Sequence, residues 1–363
     1  MKKLFITLIV FLSAALLYFA AWPVPIEPVS WNAPEDRGFT GVFKPNNRLK
    51  NIELLSMENN HGPEDLAINS QGNIYASTHE GNIVKLKADD KKFETWIKTS
   101  GKPLGIEFDL NDNLIVADGI KGLLSISTDK KITILAKMAD GIPIGFADDL
   151  DIADDGKIYF SDVSTKFVTS LKGIENATYM DILEHGGHGR LLCYDPATKT
   201  TTSLLSGLNF ANGVAVSHDQ QYVLVSETGA YQIIRYWIAG PKKGKSEIFI
   251  ENLPGFPDNI SAGQNKLFWL AFFAPRNALL DKLSDRPFWR KVILRMPEFL
   301  KPKPDIRGHI IALDHNGNVK INLQNPKTDY PQNTSVLETD RYLYIGSLTA
   351  PVIARLSKKK AGL

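Results

Sequence analysis

KIYFSD, residues 157–162, is one of six similar stretches spread along the chain. The others read NIYAST (73–78), NLIVAD (113–118), YVLVSE (222–227), KLFWLA (266–271) and YLYIGS (342–347). Each is a short apolar run, rich in aromatic and β-branched side chains, that closes on a small residue, and this is how a buried strand reads. The small residues Ser77, Ala117 and Ser161 stand 40 and 44 apart, and Ser226, Ala271 and Gly346 follow at 65, 45 and 75. Turn signals such as Ser70-Gln-Gly-Asn73 and Asp154-Asp-Gly-Lys157 separate the strand runs. A repeat of about 40 residues holding several short strands suits blades arranged around one axis. The expected fold is all-β, a six-bladed β-propeller over residues 38–363, with insertions at about 165–188 and 275–306 filling the two long intervals.

The same frame picks out candidate ligands. Glu64 lies 13 residues before Ser77, Asp148 13 before Ser161 and Asp258 13 before Ala271, while Asn212 lies 14 before Ser226. Equal offsets in a radial repeat bring side chains to equal depth around the axis. Four oxygen-bearing residues converging there would make a central site for a hard cation, Ca²⁺ or Mg²⁺ rather than a soft metal. Singly, each of the four is also ordinary turn or strand-end chemistry. The second repeat places Leu104 at the equivalent position and the sixth places Asn333, 13 before Gly346.

Outside the repeats the chain changes character. Lys2 and Lys3 precede an apolar run from Leu4 to Trp22 broken only by Thr7 and Ser13. That length suits a transmembrane helix with its N-terminus in the cytoplasm, so residues 1–22 are expected to anchor the propeller on the non-cytoplasmic side of a membrane. A cleaved signal peptide is the alternative. Residues 23–37, with Pro23, Pro25, Pro28 and Pro34, read as an extended linker. The second insertion carries Phe288, Trp289, Val292, Ile293 and Met296 at helical spacing with Arg290, Lys291 and Arg295 between them. It reads as the one convincing helix of the globular part: packed on the rim, closing over the channel as a lid, or resting on the bilayer. A net charge of +2 with 23% charged residues gives no sign of a nucleic-acid partner. The single cysteine, Cys193, lies in a strand-like run and reads as a packed apolar residue.

Longer motifs carry a family likeness. GPEDLA (62–67), KPLGIEFD (102–109), FADDLDIADDGKIYFSD (146–162), HGRLLCYDP (188–196), FANGVAVSHD (210–219), SETGAYQIIRYWIAGPKKG (226–244) and LPGFPDNI (253–260) resemble the strictosidine synthase-like family, which takes in the adipocyte plasma membrane-associated proteins. More distantly the chain is similar to the senescence-marker-protein gluconolactonases and the paraoxonases. The resemblance implies a calcium ion in the central channel, held by Glu64, Asp148, Asn212, Asp258 and Asn259, and hydrolysis of an ester or lactone. Many relatives carry Asn where this chain has Asp148, and the paraoxonases carry a catalytic His where it has Leu104, which cannot move a proton.

Without that His the chemistry would lean on the metal, with Asp258 or Asp148 as base or nucleophile. Leu104, Asn333 and His188 are the candidates to face substrate, His188 with His185 flanking the channel mouth. His79 follows the first repeated strand, where an outer position is expected. Two further readings stand beside the hydrolase. One is a non-catalytic propeller with a structural calcium that binds a ligand or partner. The other is amine–aldehyde condensation of the strictosidine synthase type, whose late Glu would have to fall on Glu338 or Asp340.

Overall fold

The computed structural model describes residues 1–87 and 90–363. Among them, six four-stranded antiparallel sheets follow one another around an axis, and each repeated stretch is the second strand of its sheet. Blade one spans Leu66–Ile68 to Glu94–Lys98, blade two Pro103–Phe108 to Ile132–Ala136, and blade three Ala147–Ile152 to Thr200–Leu208. Blade four spans Ala211–Val216 to Ser246–Ile250 and blade five Gly255–Ala262 to Val319–Asn325. Blade six is composite. Val336–Glu338, Tyr342–Ile345 and Val352–Ser357 form its three inner strands, and Glu53–Ser56 from the other end of the chain is the outermost, with Leu55 opposite Ile353. The innermost strands of consecutive blades pack on one another all the way round, the first closing on the sixth.

The unbroken apolar runs follow from this arrangement. In a strand, alternate side chains point to opposite faces, and in a propeller both faces of a blade meet a neighbour. In KIYFSD, Ile158 and Phe160 enter the core between blades two and three, whereas Tyr159 enters the core between blades three and four. Cys193 packs in that second core as a buried, free thiol.

The insertions leave the same end of the barrel-shaped ring, because both connect a second strand to a third. The first folds as two helices, Thr169–Lys172 and Ile174–Glu184, and the second as Ala278–Lys282 and Pro287–Arg295. The helix at Ile174–Glu184 corrects the expectation of a single helical stretch. Its apolar spacing is interrupted by Asp181 and Glu184, yet both are buried with Ala177, Met180 and Leu183, so the polar residues disguise an inward face.

Residues 23–37 are extended, as their prolines require, but they are not a free linker. Ile26 is fully buried among Phe146, Phe167, Leu183 and Ile293. The backbone of the segment bonds to both insertions: Val29 N–H donates to the Glu184 carbonyl at 2.8 Å and Trp31 N–H to the Ser284 carbonyl at 3.1 Å. The Trp31 ring stacks on His185 with centroids 3.9 Å apart. Arg290, buried, donates from Nη1 to the Leu183 carbonyl at 3.1 Å and from Nη2 to the carbonyls of Val29 and of Ser284, the latter at 3.0 Å. The segment is a strap that ties the two insertions together. Ahead of it stands Lys2–Ala21, a single helix long and apolar enough to cross a membrane and unburied throughout its length.

Candidate active site

The candidate ligands lie where the innermost strands bulge. Pairing of the first two strands skips between Ala147 and Leu150 in blade three, Ala211 and Val214 in blade four, and Pro257 and Ile260 in blade five. A bulge leaves residues outside the ladder and re-aims their side chains. Here the re-aimed residues are Asp148, Asn212 and Asp258. The small residue of the second strand sits against the bulge: Ser161 Oγ accepts from Asp149 N–H at 3.0 Å and Ser77 Oγ from Asp65 N–H at 3.1 Å.

The offset varies with the length of the intervening turn. In blades one, two, three and five the pairs after the bulge are Leu66–Ala76, Ile106–Val116, Leu150–Phe160 and Ile260–Leu270, ten residues apart each. In blade four the pair is Val214–Val225, eleven apart, which moves Asn212 to an offset of 14. In blade six it is Val336–Ile345, nine apart, so the equivalent residue is Thr334 and not Asn333. Asn333 serves the scaffold instead, its Oδ1 accepting from His309 N–H at 2.9 Å and its Nδ2 donating to the Tyr330 carbonyl at 3.3 Å.

With that adjustment every blade supplies one residue to a single cavity of about 280 Å³ on the insertion side of the ring: Glu64, Leu104, Asp148, Asn212, Asp258 and Thr334. Its walls are apolar, with Phe146, Phe210, Phe256 and Leu348, and Tyr179 and Ile182 of the first insertion roof it. Asn259, behind the rim of the floor, donates from Nδ2 to Glu64 Oε1 at 2.8 Å, and Asn212 Nδ2 donates to Asp258 Oδ1 at 2.8 Å. Glycines make this crowding feasible: a Cβ on Gly213 would stand 2.4 Å from the Ile260 nitrogen, and one on Gly105 2.6 Å from Asp149 Cα.

The floor is electrostatically uncomfortable without a cation. Burial holds the Glu64 carboxyl well above its ordinary range, and the Asp148, Asp65 and Asp258 carboxylates add to it. Asp148 is raised likewise, by burial and then by Asp258 and Asp65. Asp258 is pushed up to about 7 by burial, against the opposing hydrogen bond from Asn212. Among the described residues Glu64 Oε2, Asn212 Oδ1 and Asn259 Oδ1 are buried with no hydrogen-bond partner. Three orphaned oxygens in one polar patch are what a divalent cation would satisfy, and the donor set, all carboxylate and amide oxygen, fits Ca²⁺. Among the described residues no three His, Cys, Asp or Glu side chains form a metal-sized cluster by themselves, so any cation here draws on the amides as well.

The remaining candidates lie apart from that cavity. His188 pairs with Glu184, Nε2 to Oε1 at 2.6 Å, while Lys166 reaches the same carboxylate at 2.7 Å. His185 is stacked under Trp31. His79 is held by Lys102, whose Nζ lies 2.8 Å from its Nδ1. Glu338 binds Lys358 and the Trp269 indole, and Asp340 accepts from Gln264, all outside the cavity lining. Sequence reasoning missed Thr334 and Arg276. Arg276 lines the cavity wall while its guanidinium holds Asp281 at 2.9 Å and lies over the Tyr231 ring. A one-residue slip in the repeat frame would have found Thr334; nothing in the local sequence marks Arg276.

Comparison with known proteins agrees with this architecture. The strictosidine synthase family model matches residues 148–241 and the strictosidine synthase-like N-terminal model residues 41–86. Over 359 residues the chain is 33% identical to the adipocyte plasma membrane-associated protein of Rattus norvegicus, covering 92% of this chain and 93% of the relative. The chain belongs to the strictosidine synthase-like family. Solved structures share the family's fold at much lower identity. A gluconolactonase from Xanthomonas campestris superposes with a TM-score of 0.60 at 15% identity, over 84% of this chain and 89% of its own. Regucalcin from Agrobacterium tumefaciens, a calcium-binding protein, gives 0.59 at 12% identity, over 84% and 93%.

Proposed function

We propose that this protein is a membrane-anchored, divalent-cation-dependent hydrolase of esters or lactones, with Ca²⁺ as the cation. The observation that carries the reading is the cavity itself: an apolar shaft over a floor to which all six blades contribute, with carboxylates and unpartnered oxygens at its foot. The names of the gluconolactonase and regucalcin neighbours point the same way. Glu64, Asp148, Asn212, Asp258 and Asn259 would hold the ion, which when bound polarises a carbonyl oxygen and makes a nearby water more acidic. The apolar walls orient the organic part of the substrate and exclude bulk water. Asp258, which lines the cavity with one oxygen fixed by Asn212, or Asp148, whichever is less committed to the ion, would take a proton from the attacking water. Lys2 and Lys3 ahead of the apolar helix favour a propeller on the non-cytoplasmic side.

Leu104 favours a second reading, since the blade-two position that would carry a proton-moving group is apolar. In that reading the cation holds the ring together and the cavity binds a small molecule without chemistry. The deciding experiment is hydrolysis of phenyl acetate and a small lactone panel by the full chain, with and without chelator, beside Asp258→Asn. Turnover that requires calcium and falls at least about 100-fold in the variant supports the hydrolase. Absence of turnover, with chelator still lowering the melting temperature, supports the binding module.

A further inference from the structure

The insertion side of the propeller carries an apolar surface that none of the described residues covers. Phe288 and Trp289 on the Pro287–Arg295 helix are 49% and 51% exposed, and Phe299 and Leu300 just beyond its end are 78% and 57% exposed. The opposite side of that helix is fixed. Val292 and Ile293 are buried toward the first insertion, and Arg290 is held by the carbonyls of Leu183, Val29 and Ser284. The exposed aromatics therefore cannot turn inward without unpacking the strap.

The N-terminal helix identifies what meets this surface. Arg295 donates from Nε to the Trp22 carbonyl and from Nη1 to the Phe19 carbonyl, both at 2.7 Å, and Tyr18 OH donates to the Arg295 carbonyl at 3.2 Å. The guanidinium thus caps carbonyls that the end of a helix leaves unpaired. A helix long enough to cross a bilayer ends directly on the helix that displays Phe288 and Trp289. A bilayer around Lys2–Ala21 must have its surface level with Trp22, and hence with that second helix. Aromatic side chains are favoured at that depth.

We infer that Phe288, Trp289, Phe299 and Leu300 seat in the interfacial layer of the bilayer holding the N-terminal helix, so that the insertion side lies on the membrane. The cavity then opens at the lipid surface, for its outer lining, Pro302 to Asp305, follows directly on Leu300, and Leu280 of the lining adjoins the exposed Leu279. On the hydrolase reading, the substrate class this geometry admits is an amphiphilic ester or lactone that enters from the lipid rather than from water.

The test uses the full chain in phosphatidylcholine vesicles, with one environment-sensitive fluorophore placed in turn at Trp289→Cys, Phe299→Cys and Leu110→Cys. Leu110 lies in a first-to-second-strand turn, at the end of the ring opposite the insertions, and the native Cys193 is buried and escapes labelling. Brominated acyl chains are expected to quench positions 289 and 299, and aqueous iodide to quench only 110. Iodide quenching at all three positions would overturn the inference. So would shielding of 289 and 299 from both quenchers, which would mean that a protein partner or a second copy covers them. A second arm compares Phe288→Asp/Trp289→Asp with the wild type. Phenyl acetate turnover should be unchanged while KM for a long-chain ester presented in vesicles rises. An equal KM for that ester would overturn entry from the lipid. Failure of every ester with the quenching pattern intact would sink the hydrolase reading and leave the membrane surface standing.

Discussion

Glu64 shows most clearly what the floor of the cavity demands. One of its oxygens takes a hydrogen bond from Asn259, the other has no partner among the described residues, and four neighbouring carboxylates, Asp148, Asp65, Asp258 and Asp149, oppose its ionisation. A cation reverses that balance, so binding and stability should be linked. Calcium at 100 times its dissociation constant is expected to stabilise the wild type by about 2.7 kcal/mol, seen as a rise in melting temperature, and Glu64→Gln should lose most of the rise. Far from the axis, His309 lies stacked on Phe272 with its Nε2 3.1 Å from Asn322 Oδ1, and burial holds it down to about 3. His185 is held to about 3 by burial and by Arg290. Both are neutral in the folded protein and would charge below about 6.5 once unfolded. The unfolded state therefore takes up more protons, and stability should fall as pH drops from about 6.5 toward 3, by up to about 1.4 kcal/mol per pH unit for each histidine. Glu107, raised to about 8 by burial and Asp151, works in the opposite sense, costing stability as pH rises from about 4.5 toward 8. Denaturant titrations at pH 7, 6 and 5 should show a shallower acid loss for His309→Gln than for the wild type; parallel slopes would contradict the assignment.

The elements that position the site differ in how far they can be seen in the sequence. The bulged innermost strands are legible because each pairs with a second strand through a turn of nearly constant length, which converts geometry into a fixed count from Glu64 to Ser77 or Asp148 to Ser161. Where the turn changes by one residue the count misleads, and a constant offset of 13 falls on Asn333 where the pairing puts Thr334. The strap at 23–37 left no such trace. Its hold comes from backbone donors and from stacking of Trp31 on His185, and neither imposes a period on the residues. The helix at Ile174–Glu184 was hidden by buried acids. Arg290 is the residue on which strap and insertions converge: Arg290→Met removes its donors from the carbonyls of Leu183, Glu184, Val29 and Ser284, and while Glu184 and Ser284 keep the backbone donors of Val29 and Trp31, Leu183 and Val29 lose theirs. A loss of about 3 kcal/mol is expected, with faster proteolytic cleavage within 23–37, read by limited proteolysis. Cleavage at the wild-type rate would show that the strap is held by other contacts.

At the scale of the molecule, cohesion resides between blades rather than within them. Six apolar clusters each span two neighbouring sheets, and the cluster joining blades six and one includes Leu55 from the N-terminal strand together with Ile353 and Val84. Leu55→Ala should therefore cost about 2–5 kcal/mol, as a buried leucine does, and should loosen the seam of the ring. Hydrogen exchange should rise first at Glu53–Ser56 and Val352–Ser357; uniform exchange around the ring would argue against a weak seam. That seam joins residues 302 positions apart, Arg355 to Glu53 through Nη2 and Oε2 at 2.7 Å. During synthesis the strand at Glu53–Ser56 emerges well before Val352–Ser357, with which it forms its ladder. Between those two points the nascent chain carries an open sheet edge, tethered close to whatever membrane receives its N-terminal helix. A stop codon anywhere before Val352 would leave that edge exposed for the life of the product.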